Sequence, residues 1–158
     1  MDASSLRLSP VCNRPYATVS LCLLTVDEVV AIAIVGTMHV VNLQEKLDSF
    51  SETWVPKVVG ALNGQYVKVA KLEGEYVWHA HAHEDEMFLV VHGQLDLEFR
   101  DRTLTLHPGE FCIVPRGVEH RPVARELVSI VLFEPQSVRN TGDSVDDRTI
   151  EADDLEHI

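Results

Sequence analysis

Seven strand-length runs follow one another between Tyr76 and Glu134. They read YVWHAH, EMFLVVH, QLDLEF, TLTLH, EFCIVP, EHRPVA and ELVSIVLFE, punctuated by Gly74, Gly93, Asp101, Pro108-Gly109 and Arg116-Gly117. Each run is shorter than an ordinary globular helix and is bounded by turn residues. A chain divided this way is expected to form an all-β sandwich or barrel. QLDLEF alternates cleanly, which sends Leu95, Leu97 and Phe99 to one face. EMFLVV and LVSIVLF are apolar on both faces. Such strands need a cover on each side, from a second sheet or another subunit, so a homodimer is expected.

Upstream, Asn42 is placed to cap a short N-terminal helix carrying Leu43, Leu47, Phe50 and Trp54 at helical spacing. WVPKVV and YVKVAKL then read as two strands joined through Asn63-Gly64, a dipeptide suited to a two-residue hairpin. Residues 1–37 show no clear period and hold two of the three cysteines, Cys12 and Cys22. Met38 reads like a protein start. Residues 1–37 are therefore an extension of uncertain origin, either a translated leader or a genuine segment in which VVAIAIV adds a strand. Residues 38–140 read as the barrel domain. Residues 141–158 form an acidic tail, with seven acidic residues and one Arg from Asp143 onward. The tail is expected to be a solvated loop ending in a short helix.

Charge excludes some partners. The chain of 158 residues carries a formal net charge of −12 and no basic patch. Nucleic acids and anionic membranes bind through clustered Lys and Arg, so neither is an expected partner. The third cysteine is Cys112, the number is odd and no CxxC occurs, which fits a reducing cytoplasm. The most apolar region, Thr18 to Val41, is interrupted by Asp27 and Glu28. Its longest run falls well short of the ~20 residues a membrane span needs.

The stretch WHAHAHEDEMFLVVHG, residues 78–93, carries the chemistry. Side chains repeat every two residues along a strand, so His79 and His81 share a face. Imidazole is the commonest protein ligand for transition metals. Glu86 heads the next strand, and an antiparallel return would set it beside the two histidines. A second stretch, HPGEFCIVPRGVEHRP at residues 107–122, uses Gly109, Pro115 and Gly117 to shape a turn that delivers His120 onto the strand that follows.

Together the two stretches resemble the paired motifs of the cupin superfamily. The first motif is matched as Gly74, four residues, His79-Ala80-His81, four residues, Glu86, six residues, Gly93; its leading gap is one residue short of the family pattern. The second is matched as Gly109, five residues, Pro115-x-Gly117, two residues, His120, with Ala124 where the family has Asn. The resemblance covers about residues 64–134. It implies a double-stranded β-helix, a jelly-roll barrel with a metal in its mouth, and makes His79, His81, Glu86 and His120 the metal ligands. Four protein ligands on a six-coordinate ion leave two positions for a small-molecule substrate or for substrate and O2. The mixed N/O set suits Fe2+ or Mn2+ first, and also Zn2+, Ni2+ or Cu2+.

His83 sits too close to Glu86 for the motif and reads as a rim residue in reach of substrate. Arg116, in the turn before His120, is a second candidate substrate contact. Tyr66, Trp78, Phe88, Phe99, Phe111, Ile113 and Phe133 are candidates to line the barrel, with core packing as the simpler role. The resemblance implies a dioxygenase-like oxidoreductase acting on an enol, diketone or catechol-like molecule. The chain also resembles small cupins labelled mannose-6-phosphate isomerase-like, which makes a sugar isomerase or lyase the second expectation. A non-catalytic small-ligand binder is the third.

Overall fold

In the computed structural model, which describes residues 20–26, 29–35 and 38–158, Asn63 and Gly64 take positive φ angles of 52° and 78°. Both central residues of a type I′ hairpin turn need that conformation, which is why Asn-Gly serves there. The turn joins β3 (Lys57–Leu62) to β4 (Gln65–Glu75). The hairpin read from the dipeptide is therefore the one formed.

The chain divides into two units, Met1–His39 and Val40–Ile158. In the first, β1 (Ser20–Val26) and β2 (Val29–Val35) form a two-stranded antiparallel sheet, so VVAIAIV is a strand. Cys12 and the rest of residues 1–19 lie outside the described residues.

The second unit is the all-β barrel expected from the motifs, with one short helix. After β4 come β5 (Glu86–His92), β6 (Leu95–Phe99), β7 (Thr103–Leu106), β8 (Phe111–Val114) and β9 (His120–Pro135). Every pairing in the sheet is antiparallel, in the order β3-β4-β9-β5-β8, with β6 between β7 and β9. The runs EHRPVA and ELVSIVLFE, separate in the sequence reading, form the single long strand β9. It pairs with β6 near its start, with β5 near its end and with β4 along most of its length. YVWHAH is not a ladder strand. Only His79 makes a β-bridge there, to His120. The carbonyl of Ala80 turns away to accept from the Asp143 N–H at 2.9 Å.

Alternation sorts the apolar residues into two layers. Ala70 and Leu72 of β4, Phe88 and Val90 of β5, and Ile130 and Leu132 of β9 fill the barrel. Val69 and Val131 face the other way and pack with Leu47 and Val59. Leu89, Val91 and Ile158 join that outer cluster. Strands apolar on both faces thus find their second cover within the chain, from the helix and the C-terminus. Each such aliphatic side chain contributes about 1.5–3 kcal/mol on full burial.

The helix α1 spans Leu43–Asp48. Asn42 caps it, its Oδ1 accepting from the N–H groups of Gln44 at 3.0 Å and Glu45 at 3.3 Å, and Leu47 is its buried residue. Phe50 and Trp54 lie beyond its end, which corrects the expectation that they share it. Trp54 has a φ of 64°. It is held there by its N–H on the Lys71 carbonyl and its indole Nε1–H on the Glu73 carbonyl, both at 2.8 Å.

The acidic tail also differs from a solvated loop. Thr141 and Leu155 are buried. The backbone crosses the HAH segment and ends on β3, where the Ile158 N–H reaches the Val58 carbonyl at 3.1 Å. A 3-10 turn at Ala152–Asp154 stands where the terminal helix was expected. Gly142 has a φ of 56°, and a Cβ there would stand 2.2 Å from the Ala80 carbonyl oxygen. Only glycine allows so close a crossing. Among the described residues no helix is long and apolar enough to cross a membrane.

Candidate metal centre

Three elements bring the four motif residues together. His79 and His81 lie on the segment between β4 and β5, Glu86 opens β5 and His120 opens β9. Reciprocal backbone hydrogen bonds join His79 to His120 at 3.0 and 2.9 Å. The Gly117 N–H donates to the His81 carbonyl at 2.7 Å, and the Arg116 N–H to Asp85 Oδ1 at 2.9 Å. The turn of the second motif is thus fastened to the first. One nitrogen or oxygen from each of His79, His81, Glu86 and His120 lies within 4.8 Å of the others, and all four side chains are buried.

The tautomers are set by the backbone. His79 Nδ1 lies 3.0 Å from the Val77 carbonyl and His120 Nδ1 lies 3.1 Å from that of Val118. In each ring Nδ1–H donates outward, which leaves Nε2 with a free lone pair. Such outer partners orient imidazole ligands and raise their basicity. The sequence had no means of naming them.

Glu86 Oε2 lies 3.2 Å from Nε2 of both His81 and His120. With His120 the geometry is that of a hydrogen bond. With His81 the groups are close enough for charge attraction, but the angle is wrong, and His81 Nε2 stays buried without a partner. A buried ring nitrogen without a hydrogen-bond partner, beside a carboxylate and two more imidazoles, fits a transition ion in chemistry and in number.

Electrostatics tell the same story. Burial, helped by the nearby His120, lowers His79 to about 4, so its ring is neutral near pH 7. Burial also opposes charge on His81, but the adjacent Glu86 carboxylate outweighs it and raises that pKa above the ordinary 6.5. Burial alone would raise Glu86; His120 and His81 outweigh it and hold the carboxyl well below its usual range.

A small cavity, with about 30 Å3 of space for a water-sized body, adjoins the cluster. His79, Glu86, Phe88, Trp54, Tyr76, Glu134 and Asn140 are among the residues that line it. Of the aromatic residues first considered as lining, Phe88 is in this cavity. Phe111 and Ile113 are instead exposed, at 60% and 55%. Trp78 stacks under the Arg100 guanidinium at 3.8 Å. Trp54 and Tyr76 were missed. Their rings stack at 4.7 Å and 18°, and Asn140 Nδ2–H donates to the Tyr76 hydroxyl at 2.8 Å. Burial pushes the Tyr76 phenol well above its ordinary range, so it stays neutral.

Lys68 and Glu134 were also missed. Both are fully inside, and Lys68 Nζ donates to Glu134 Oε1 at 2.9 Å. A signal existed for each. Lys68 is in phase with Ala70 and Leu72, and Glu134 with Ile130 and Leu132, so strand alternation puts all of them inward. His83 and Arg116 do not join the cluster; both side chains are exposed.

Comparison with known proteins fits this geometry. Residues 65–133 match the Cupin_2 family, described as a cupin domain. A cupin-2 domain containing protein from Shewanella frigidimarina NCIMB 400, solved by crystallography, is 44% identical; the match covers 61% of this chain and 94% of that one, with a TM-score of 0.60. This chain belongs to the cupin family. A second relative, the uncharacterized protein YdbB of Bacillus subtilis (strain 168), is 36% identical over 81 residues. That match spans 51% of this chain and 66% of YdbB. The cupin fold is shared at greater distance with the hydroquinone 1,2-dioxygenase PnpCD, whose structure holds Cd2+ and 4-hydroxybenzonitrile. It is 20% identical, with 63% of this chain and 80% of that one covered and a TM-score of 0.50.

Proposed function

We propose that this cupin is a metal-dependent small-molecule oxidoreductase of the dioxygenase-like kind, with His79, His81, Glu86 and His120 as ligands of Fe2+ or Mn2+. The observation that carries the proposal is the buried, partnerless Nε2 of His81 within a four-residue donor cluster that borders a cavity. A divalent transition ion held there supplies Lewis acidity toward an oxygen ligand. The chain's own residues do the rest. The carbonyls of Val77 and Val118 orient two imidazoles, Trp54 and Phe88 exclude water from the inner side, and Tyr76 offers a neutral hydroxyl at the wall. Use of this fold by a hydroquinone dioxygenase agrees with such chemistry. The sugar-phosphate isomerase reading is less well supported, because no Lys or Arg is among the described residues lining the cavity. Phosphate recognition ordinarily uses those side chains.

The test is elemental analysis of protein purified without added metal. Near-stoichiometric iron or manganese, followed by oxygen uptake with enols or catechols, supports the proposal. Tightly held zinc or nickel shifts the reading to lyase or isomerase chemistry. A site that stays empty and resists loading leaves a non-catalytic binder. A homodimer is part of the same proposal. It is supported by the exposed Phe111 and Ile113 on β8, a strand at the end of the sheet order. Sedimentation velocity checks it.

A further inference from the structure

Two buried side-chain atoms among the described residues lack a hydrogen-bond partner: Nε2 of His81 and Oε2 of Glu134. The first belongs to the metal cluster. The second belongs to the wall of the cavity that Glu86 and His79 also line. The register Met87↔Phe133 in the β5–β9 pair puts Glu134 beside Glu86 on the next strand. Glu134 is held from behind, where Lys68 Nζ donates to Oε1 at 2.9 Å and reaches toward the Val138 carbonyl at 3.5 Å. That contact fixes the carboxyl and leaves Oε2 as the oxygen available to the cavity.

We infer that Glu134 positions the ligand of the metal centre by hydrogen-bonding a hydroxyl group next to the ligand's metal-binding oxygen, so that the site selects small α-hydroxy acids or enols over their O-alkylated counterparts. This rests on the metal-centre reading above. A hydroxyl suits Oε2 better than a carbonyl or an ether does, because it both donates and accepts and so satisfies a carboxyl in either protonation state. The small cavity admits a group of a few heavy atoms. Glu86 offsets part of a divalent ion's charge while Lys68 and Glu134 offset each other, so the metal's added partner is best an anionic oxygen. Glu134 is a positioning residue here. Its acceptor is aimed and desolvated before the ligand arrives, which is how a buried polar group discriminates against an analogue that lacks the matching hydrogen bond.

Glycolate and methoxyacetate serve as probes. They chelate through the same atoms, but only glycolate has a hydroxyl proton. Calorimetric titration of Mn2+-loaded protein is expected to give glycolate at least ~10-fold tighter binding than methoxyacetate. The ratio is expected to fall to within ~3-fold in E134Q and in K68M/E134L, each checked for metal content and thermal melting. Equal affinities in the unaltered protein, or an undiminished ratio in the variants, would overturn the inference. A crystal structure of the unaltered protein with glycolate gives a readout that does not depend on the variants folding. The hydroxyl belongs within hydrogen-bond distance of Glu134 Oε2, and a hydroxyl placed elsewhere overturns the assignment. If Mn2+ is held but glycolate does not bind, this inference fails while the metal-centre reading stands. If Mn2+ itself is not held, both fail.

Discussion

Glu86 Oε2 lies 3.2 Å from His120 Nε2, between residues 34 positions apart in the chain. The same oxygen stands 3.2 Å from His81 Nε2. One carboxylate oxygen therefore sits between two imidazole nitrogens.

Substituting a ligand should abolish tight metal binding. His79→Ala and His120→Ala are each expected to weaken affinity by more than ~100-fold, beyond the roughly 10–100-fold that outer partners command. His83→Ala and Arg116→Ala, whose side chains are exposed, should leave metal content unchanged. Elemental analysis after dialysis distinguishes the two classes. Full occupancy in both His79→Ala and His120→Ala would remove the site assignment.

Metal binding should depend on pH through His81. Its pKa in the metal-free protein is raised above 6.5, so protons compete with the metal as pH falls through that region. His79, lowered to about 4, does not titrate there. The sign reverses for the metal-free fold. A raised histidine stabilises the fold fully below 6.5, and that stabilisation is lost as pH rises through the higher folded value. The melting-temperature gap between metal-loaded and metal-free protein is therefore expected to widen from pH 6.5 to 8.5. A gap that stays constant would show that His81 is not the competing group.

Gly142→Ala tests the crossing of the tail over the HAH segment. The added Cβ would stand 2.2 Å from the Ala80 carbonyl oxygen, which is backbone and has little freedom to yield. The expected cost is about 2–4 kcal/mol, with weakened metal binding because Ala80 lies between two ligands. Gly60→Ala is the control. Nothing lies within 4 Å of its Cβ position and its φ is ordinary, so stability should change by no more than ~0.5 kcal/mol.

Lys68→Met removes the cation beside a buried carboxyl. Breaking one side of such a pair costs about 3–5 kcal/mol, whereas replacing both partners is often neutral. The low end is expected, because burial and the charge of Glu86 already push Glu134 up to about 7 and it can take up a proton. Urea denaturation of K68M and K68M/E134L should show the double variant to be the more stable.

The convergence of His79, His81, Glu86 and His120 was legible because two short motifs carry it, although HAH forms only the bridge at His79 and not the strand that the period of two assumed. The Asn63-Gly64 turn and the Asn42 cap were legible for the same local reason. What escaped depends on contacts remote in sequence. Trp54 was read by spacing as helical, yet its place is decided by the carbonyls of Lys71 and Glu73. EHRPVA and ELVSIVLFE looked separate because Arg125 and Glu126 interrupt the apolar pattern, but both are exposed where the β4–β9 register shifts, and the strand resumes its pairing at Val128. The tail's acidity concealed the buried Thr141 and Leu155 and the backbone bonds of Asp143 and Ile158 that fasten it to the barrel. Lys68 and Glu134 were passed over because charge outweighed phase.

The pairing of β4 with β9 also governs how this protein comes into being. These strands are remote in sequence, and β9 holds the sheet together through β4, β5 and β6 at once. Non-local pairings of this kind form slowly, since the loop between them must be closed before any contact rewards it. During synthesis, a chain that has emerged only as far as β8 carries His79, His81 and Glu86 but has no strand on which to assemble them. The arrival of β9 closes the barrel and supplies His120 in a single event, so an ion held by all four residues would mark completed folding.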